Sequence, residues 1–262
     1  MAQALALLFG LLIGSFLNVI IWRMPRGESI AWPASHCPSC KTPIRWHDNI
    51  PVLAYLILKG KCRFCPSRIP FRYPVVELLG GIAGWAAFTV WGGAYAAAAA
   101  VIFWALIAVI WIDWEHQIIP DEISLGGIAA GLLFSFFFPV WVAGNAAEPG
   151  WRALLMSGAG VLVGGGILYL MALIGEWVFK KEAMGGGDVK LLAAVGAFFG
   201  WQGALFALFA GSVAGSFVGL AAKYIWKKDV IPFGPYLALG TFLYMLWGQT
   251  ILSWYVSRVL QY

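Results

Sequence analysis

The sequence predicts an all-α polytopic membrane protein with about eight transmembrane helices and a polar insert between the first two. The chain of 262 residues is 61% hydrophobic and only 11% charged, and a soluble domain of this length needs far more polar surface. Its apolar runs are long and unbroken, whereas a membrane barrel alternates apolar and polar residues. The 32 glycines and 15 tryptophans suit close helix packing and membrane interfaces.

A run of about 20 apolar residues spans a bilayer as a helix. Eight runs are candidates, near residues 3–22, 75–92, 94–112, 122–141, 152–175, 189–201, 203–225 and 234–256. The first run has no basic residue ahead of it and no small-residue cleavage pattern, so we predict a retained helix rather than a signal peptide. The sixth is short and follows a glycine stretch, which is tolerated only where the backbone faces protein or water.

The positions of the 17 Lys and Arg residues predict the orientation in the membrane. They cluster between Arg23 and Arg72, at 180–190 on either side of the three glycines, and at 223–228. With eight helices these groups share one side, and only Arg152 and Arg258 lie opposite, so the basic side is cytoplasmic. The predicted domains are a first helix (1–23), a cytoplasmic segment (24–73) and a transmembrane core (74–262).

The cytoplasmic segment is basic, with eight Lys and Arg residues against two acids. Anionic lipid attracts such a segment when it is tethered at the membrane. Because no basic strand is interleaved with aromatic residues, we expect contact with membrane lipid and not with nucleic acid.

All four cysteines lie in this segment, as "CPSC" and "CRFC". Cys37, Cys40, Cys62 and Cys65 form two C-x2-C pairs separated by 21 residues. This spacing is close to that of a four-thiolate zinc site, which is closed to substrate and therefore structural. Loose thiols or a redox pair are the alternative, and a cytoplasmic location argues against stable disulfides.

Two aspartates stand at the ends of apolar runs. Asp113 ends the third predicted helix, and Asp188 opens the sixth after Gly185, Gly186 and Gly187. The predicted topology places both acids at the cytoplasmic edge, where a close pair could share a proton and cleave an amide. The three glycines would let a substrate backbone lie close to Asp188. The competing interpretation is two unrelated acids at helix ends.

Five stretches of the chain form a recognisable set. They are "GSFLNVIIWRMPRGESI", the cysteine segment "CPSCKTPIRWHDNIPVLAYLILKGKCRFC" with "RYPVVELLGG", "DWEHQIIPDE", "MGGGDVKLLAAVGA" and "IPFGPYLALG". In this order they resemble stretches of the prepilin leader peptidases of type IV pilus and type II secretion systems. A G-x-G-D stretch alone is a weak signal, but the five together are specific.

The resemblance implies an aspartyl peptidase of the bacterial inner membrane that cleaves leader peptides of prepilins or pseudopilins after Gly. Its catalytic acids carry over to Asp113 and Asp188, and its zinc ligands to the four cysteines. The resemblance also implies N-methylation of the new N-terminus with S-adenosylmethionine. The residues that bind this methyl donor are unknown; Glu77 and Gly80 are positions that could border it, although Glu77 is also explained as an interfacial acid.

Three other functions fit parts of the sequence. An archaeal-type preflagellin peptidase is disfavoured by the long cysteine segment. A transporter could use the paired acids for protons or metal and the cysteines for metal loading, but its acids should lie near the bilayer midplane. A structural subunit of a secretion complex would leave the glycines and the paired acids without a purpose.

Overall fold

The computed structural model describes residues 2–180, 184–226 and 231–260, and the chain is helical throughout these ranges apart from the cysteine segment and short connections. Ten α-helices occur there: α1 Ala2–Arg23, α2 Leu53–Ile57, α3 Arg72–Val90, α4 Gly93–His116, α5 Asp121–Phe137, α6 Val140–Ala143, α7 Gly150–Phe179, α8 Gly186–Ala221, α9 Gly234–Leu243 and α10 Gln249–Tyr255. The all-α prediction is confirmed. Lys181, Lys227 and Lys228, used in the orientation argument, lie outside the described residues.

Five helical stretches in the described part of the chain are long and apolar enough to cross a bilayer. They are Ala2–Arg26, Arg72–Val90, Gly93–His116, Gly150–Val178 and Gly186–Ile225. The fourth predicted span corresponds to the 17-residue helix α5, and the eighth to α9 and α10 with the π-helical turn between them. The total of eight spans stays a prediction.

The sixth and seventh predicted helices form one element, α8, which is interrupted at a single residue. Gly200 has φ 67° and ψ −174°, values outside the helical region, while its neighbours on both sides are helical. Only glycine adopts this conformation without strain from a side chain. The division between the two predicted helices therefore lies at Gly200.

The chain forms two compact units, and the first comprises Met1–Ile112. In this unit α1 packs along α3 through glycines: a Cβ added at Gly80 would lie 2.7 Å from both the Gly10 oxygen and the Gly14 Cα. Asn18 Nδ2 donates to the Tyr73 carbonyl oxygen at 3.2 Å, close to the start of α3. The cysteine segment is the connection between these two packed helices, as the sequence predicts.

The second unit comprises Asp113–Tyr262 and is built around α8. Helices α5, α7 and α9 each pack against α8. The crossing of α7 and α8 is close because Gly160 and Gly196 face each other backbone to backbone, and neither position has room for a Cβ. Ser157 Oγ adds a hydrogen bond of 2.6 Å to the Ala197 carbonyl. This packing fixes α8, whose first turn carries Asp188.

Candidate active site

The cysteine segment folds into two similar turns, one around each C-x2-C pair. The Cys37 N–H donates to the Thr42 carbonyl at 3.0 Å, and the Cys62 N–H donates to the Ser67 carbonyl at 2.9 Å, five residues on in both cases. The turns meet through Ser39 Oγ and Ser67 Oγ, 3.0 Å apart. Each turn thus holds its two thiols on the same side.

The four sulfur atoms lie within 4.8 Å of one another and none forms a disulfide. The Cys37–Cys65 and Cys40–Cys62 sulfurs are separated by 3.8 and 3.9 Å. A tetrahedron with zinc–sulfur bonds of about 2.3 Å requires sulfur–sulfur distances of about 3.8 Å. The cluster therefore fits a four-thiolate zinc ion, and it leaves no coordination position for a substrate.

The electrostatics of the cluster also favour a cation. Hydrogen bonds from the Thr42 side chain and backbone lower the pKa of the Cys40 thiol to about 6. A backbone hydrogen bond from Ser67 lowers the pKa of Cys65, but burial and the three neighbouring thiols outweigh it and raise that pKa to about 12. Four thiolates at this separation repel one another, and a divalent cation among them offsets that repulsion.

Asp113 lies three residues before the end of α4 and its side chain is buried, with 5% of the residue exposed. The N–H of Gly234, the first residue of α9, donates to Asp113 Oδ2 at 2.9 Å. A Cβ at position 234 would lie 2.6 Å from the same oxygen. Gly234 therefore fixes the carboxylate of Asp113 through its backbone, and this requires that it carry no side chain.

Asp188 lies in the first turn of α8, after the N-terminal cap Gly185. Its N–H donates to the Gly185 carbonyl at 3.2 Å, and the helix N-terminus favours a negative charge at this position. Asp188 Oδ1 is buried and has no hydrogen-bond partner among the described residues. Gly187, which precedes Asp188, and Gly234, which holds Asp113, both lie beside the Ile119 side chain, so the structure brings the two predicted acids to the same residue across 75 positions of sequence.

Ile119 connects the surroundings of the two acids. It follows α4, is 8% exposed, and lies beside Gly187 and Gly234. A Cβ added at position 187 would lie 2.9 Å from the Ile119 Cβ, and a Cβ added at position 234 would lie 3.0 Å from the Ile119 Cδ1. The sequence analysis missed the roles of Ile119 and Gly234. The quoted stretch "IPFGPYLALG" contained the one available signal, a glycine between two prolines at the start of an apolar helix.

The glycines before Asp188 differ in their surroundings. Gly187 lacks a side chain because Ile119 occupies that space. Gly185 and Gly186 are exposed, and a Cβ at Gly186 would have no neighbour within 4 Å. The prediction that an extended substrate lies along these glycines thus applies best to Gly185 and Gly186, and it stays a prediction.

Two other acids near apolar runs have partners. Asp121, in the first turn of α5, forms an ion pair of 2.7 Å with Lys190. In the first unit Glu77 is 8% exposed and accepts a hydrogen bond of 2.7 Å from the Val52 N–H. Asp188 differs from them because one of its buried oxygens is unpartnered within the described ranges.

Two close carboxyl groups provide acid–base chemistry without a metal, a serine or a thiol. Because like charges at short range cannot both ionise easily, such a pair holds one proton between its two members. The ionised member can remove a proton from water, while the protonated member donates to a carbonyl oxygen.

Comparison with known families accounts for most of the chain. Residues 8–91 match the family described as the bacterial peptidase A24 N-terminal domain, and residues 100–220 match the type IV leader peptidase family. No solved structure matches the chain significantly.

Several characterised proteins are similar over nearly their whole length. A prepilin leader peptidase/N-methyltransferase of Aeromonas hydrophila is 36% identical, over 98% of this chain and 94% of its own. The enzyme of the same name from Pseudomonas putida is 36% identical, over 94% of this chain and 91% of its own. A type 4 prepilin-like proteins leader peptide-processing enzyme of Escherichia coli O78:H11 is 40% identical, over 90% of each chain.

Proposed function

Because the chain belongs to the type IV leader peptidase family, we propose that it cleaves leader peptides from type IV prepilins or type II secretion pseudopilins and then N-methylates the new N-terminal residue. The proposal is supported by the position of Asp113 and Asp188 around the same residue, Ile119, in a chain that matches such enzymes along 98% of its length.

Asp113 and Asp188 are the proposed catalytic acids. The ionised carboxylate takes a proton from a water molecule, and the water oxygen bonds to the scissile carbonyl carbon. The protonated carboxyl donates its proton to the carbonyl oxygen, which gives a neutral tetrahedral intermediate. When this intermediate collapses, the carboxyl that took the water proton gives it to the nitrogen and the carbon–nitrogen bond breaks. One hydroxyl of the intermediate returns its proton to the other carboxylate as the new carboxyl group forms, so that the pair again shares one proton. The Gly234 N–H holds Asp113 in place during these steps.

The substrate is proposed to reach the pair from the cytoplasmic side. The basic residues of the chain predict that the start of α8 faces the cytoplasm, where a prepilin leader remains while its apolar helix enters the bilayer. Gly185 and Gly186 are exposed beside Asp188 and have room for an extended peptide backbone. A Gly at the cut site suits this narrow approach.

N-methylation is proposed with S-adenosylmethionine, which when bound supplies an electrophilic methyl group to the freed amine. The positions considered from the sequence do not fit a donor site. Glu77 is engaged by the Val52 N–H, and the space beside Gly80 is filled by Gly10 and Gly14. We therefore assign no residue of this chain to the methyl donor.

The zinc ion proposed for the four cysteines has a structural role. It would join the two turns of the insert, since one turn supplies Cys37 and Cys40 and the other supplies Cys62 and Cys65. Thiolate ligation of all four positions excludes it from the acid–base steps.

The test is a time course of prepilin cleavage by the detergent-purified protein, read by gel shift. Asp113→Asn and Asp188→Asn should each remove cleavage, and the double variant should be no worse than either alone because the pair acts as a unit. Glu122→Gln, an exposed acid in the first turn of α5, is the matched control and should retain near-normal cleavage. Near-normal cleavage by either Asp variant would remove that residue from the catalytic role.

The same preparation tests the transporter alternative. A peptidase releases a shortened pilin in detergent, where no gradient exists, whereas transport requires a sealed membrane. If the folded wild-type protein fails to cleave any prepilin offered and carries protons or metal in vesicles, the peptidase proposal is wrong.

A further inference from the structure

The insert contains a cavity of about 320 Å³ on the side of the turn that follows α2. It belongs to the first unit, whereas Asp113 and Asp188 belong to the second. The cavity is lined by Tyr55, Lys59, Gly60, Lys61, Arg68 and Ile69. Three of these six residues are cations and none is an acid.

The backbone holds the three cations in fixed relation. Lys59 and Gly60 have left-handed φ values of 51° and 67°, and the Gly60 N–H donates to the Tyr55 carbonyl at 3.0 Å. Lys61 and Arg68 face each other in an isolated antiparallel bridge. The Ile69 N–H donates to the Gly60 carbonyl at 2.8 Å. The cavity wall is thus tied to the second cysteine turn.

These cations differ from most other basic residues in and beside the insert, whose side chains have partners. Arg63 forms an ion pair with Asp48, Arg23 donates to two backbone carbonyls, and Arg45 lies over the Phe64 ring. Across the part of the chain that the structure describes, Lys59, Lys61 and Arg68 make no ion pair or side-chain hydrogen bond. All three are exposed. The cavity therefore carries positive charge that nothing in the insert neutralises.

Exposed apolar side chains occur in the same part of the insert as these cations. Helix α2 exposes Leu53, Leu56 and Ile57, with 55%, 63% and 69% of each residue accessible. Phe71, 70% exposed, immediately precedes the predicted span Arg72–Val90, and its ring lies 6.3 Å from that of the cavity residue Tyr55. This ring contact therefore connects the cavity to the residue that precedes the candidate span.

We propose that this cavity binds the phosphate-bearing headgroup of an anionic phospholipid of the surrounding membrane, with the exposed face of α2 and Phe71 in the interfacial layer. Cations beside apolar side chains are the composition of surfaces that lie on anionic membranes. Positive charge disfavours the other nearby ligands, a basic leader peptide and a cationic methyl donor. A free phosphate has the same charge chemistry as the headgroup but no acyl chains for the apolar face.

The test uses the full chain in micelles of a non-ionic detergent, with no zwitterionic detergent present. The protein is titrated separately with short-chain phosphatidylglycerol, short-chain phosphatidylcholine and inorganic phosphate. Binding is measured by calorimetry. Removing one cation near an anionic lipid weakens binding roughly five-fold. The triple variant Lys59→Gln, Lys61→Gln, Arg68→Gln should therefore bind phosphatidylglycerol roughly 100-fold more weakly than the wild type.

The matched control is the triple variant Arg26→Gln, Lys41→Gln, Arg45→Gln, which removes the same charge from the same insert outside the cavity. Its affinity for phosphatidylglycerol should decrease less than about five-fold, because its residues do not line the cavity. Because Lys61 adjoins Cys62, zinc content is measured in every variant. If the triple loses zinc, Lys59→Glu serves in its place and should weaken binding roughly 25-fold by reversing one charge.

Three results would overturn the proposal. An equal loss of phosphatidylglycerol affinity in the two triple variants would mean that the lipid is attracted to the charge of the whole insert and not to the cavity. Equal affinity for phosphatidylcholine would mean that headgroup charge is not recognised, and phosphate binding as tight as phosphatidylglycerol would make this a free-anion site. None of these outcomes bears on prepilin cleavage, which depends on the second unit.

Discussion

Replacing Gly234 with alanine should impair cleavage without unfolding the protein. The added Cβ would lie 2.6 Å from Asp113 Oδ2 and 3.0 Å from Ile119 Cδ1. Since carbon and oxygen do not pack that closely, the carboxylate must retreat by roughly half an ångström. The retreat lengthens the 2.9 Å hydrogen bond that the Gly234 N–H donates to the same oxygen.

The size of the effect follows from these two losses. Overpacking a buried position costs about 1–3 kcal/mol, and weakening a hydrogen bond to a charged group costs up to a similar amount. If about 2 kcal/mol of this falls on the transition state, kcat/KM decreases about 30-fold. Misplacement of a reacting group by about 1 Å lowers the reaction rate about 100-fold, and this sets the upper end of the expected decrease in kcat/KM.

The assay is kcat/KM for prepilin cleavage in detergent, together with the midpoint of thermal unfolding. Gly126→Ala is the matched control, because Gly126 also lies in a helix of the second unit and a Cβ there would have no neighbour within 4 Å. Wild-type kcat/KM in Gly234→Ala, or an equal decrease in both variants, would refute the claim that Gly234 positions Asp113.

Four further outcomes are expected. Wild-type protein should contain about one zinc per chain by metal analysis, and Cys62→Ser should lose it and make the insert protease-sensitive. Gly196→Ala should cost about 1–3 kcal/mol of stability and so lower the midpoint of thermal unfolding, because its Cβ would meet the Gly160 backbone, whereas Gly158→Ala should leave the midpoint unchanged. Glu77→Ala should make the insert sensitive to limited proteolysis, because the Val52 N–H loses its acceptor and Val52 is held at a strained φ of 63°. Adding Val52→Gly to that variant should restore resistance, because glycine adopts this φ without strain. A prepilin with a bulky residue in place of the Gly before the cut should resist cleavage, whereas neutralising its basic leader should slow cleavage only several-fold, which a time course on the two substrates measures.

Local patterns were sufficient to predict the helices and the cysteine cluster. Apolar runs and C-x2-C pairs are short-range signals, and the four sulfurs meet as their spacing indicates. The break at Gly200 was placed within two residues, although the structure keeps both parts in one element. The span count is harder, because α5 and the segment after Gly234 are short or contain π-helical turns.

The contacts around the acids were not predictable in the same way. Asp113 and Gly234 are 121 positions apart, and no periodicity links a backbone N–H to a carboxylate over that distance. Ile119 reads as an ordinary apolar residue of a short connection, and its importance lies only in the two glycines that it contacts. The sequence showed which acids were unusual, but not what fixes their positions.

The packing of α8 explains how a membrane protein can hold two carboxylates in register. Lipid tails are as apolar as the side chains of a helix, so helix positions depend on close contact more than on burial from water. On α8 such contacts are made with three helices: Gly160 of α7 meets Gly196, Gly131 of α5 lies against Ala197, and Gly240 of α9 lies against Ala207. A helix held by close contacts with three neighbours has little freedom to slide, so Asp188 in its first turn stays at a fixed position. Asp113 is in turn held by α9, which packs on the same helix, and the separation of the two acids is therefore determined largely by the glycine contacts along α8.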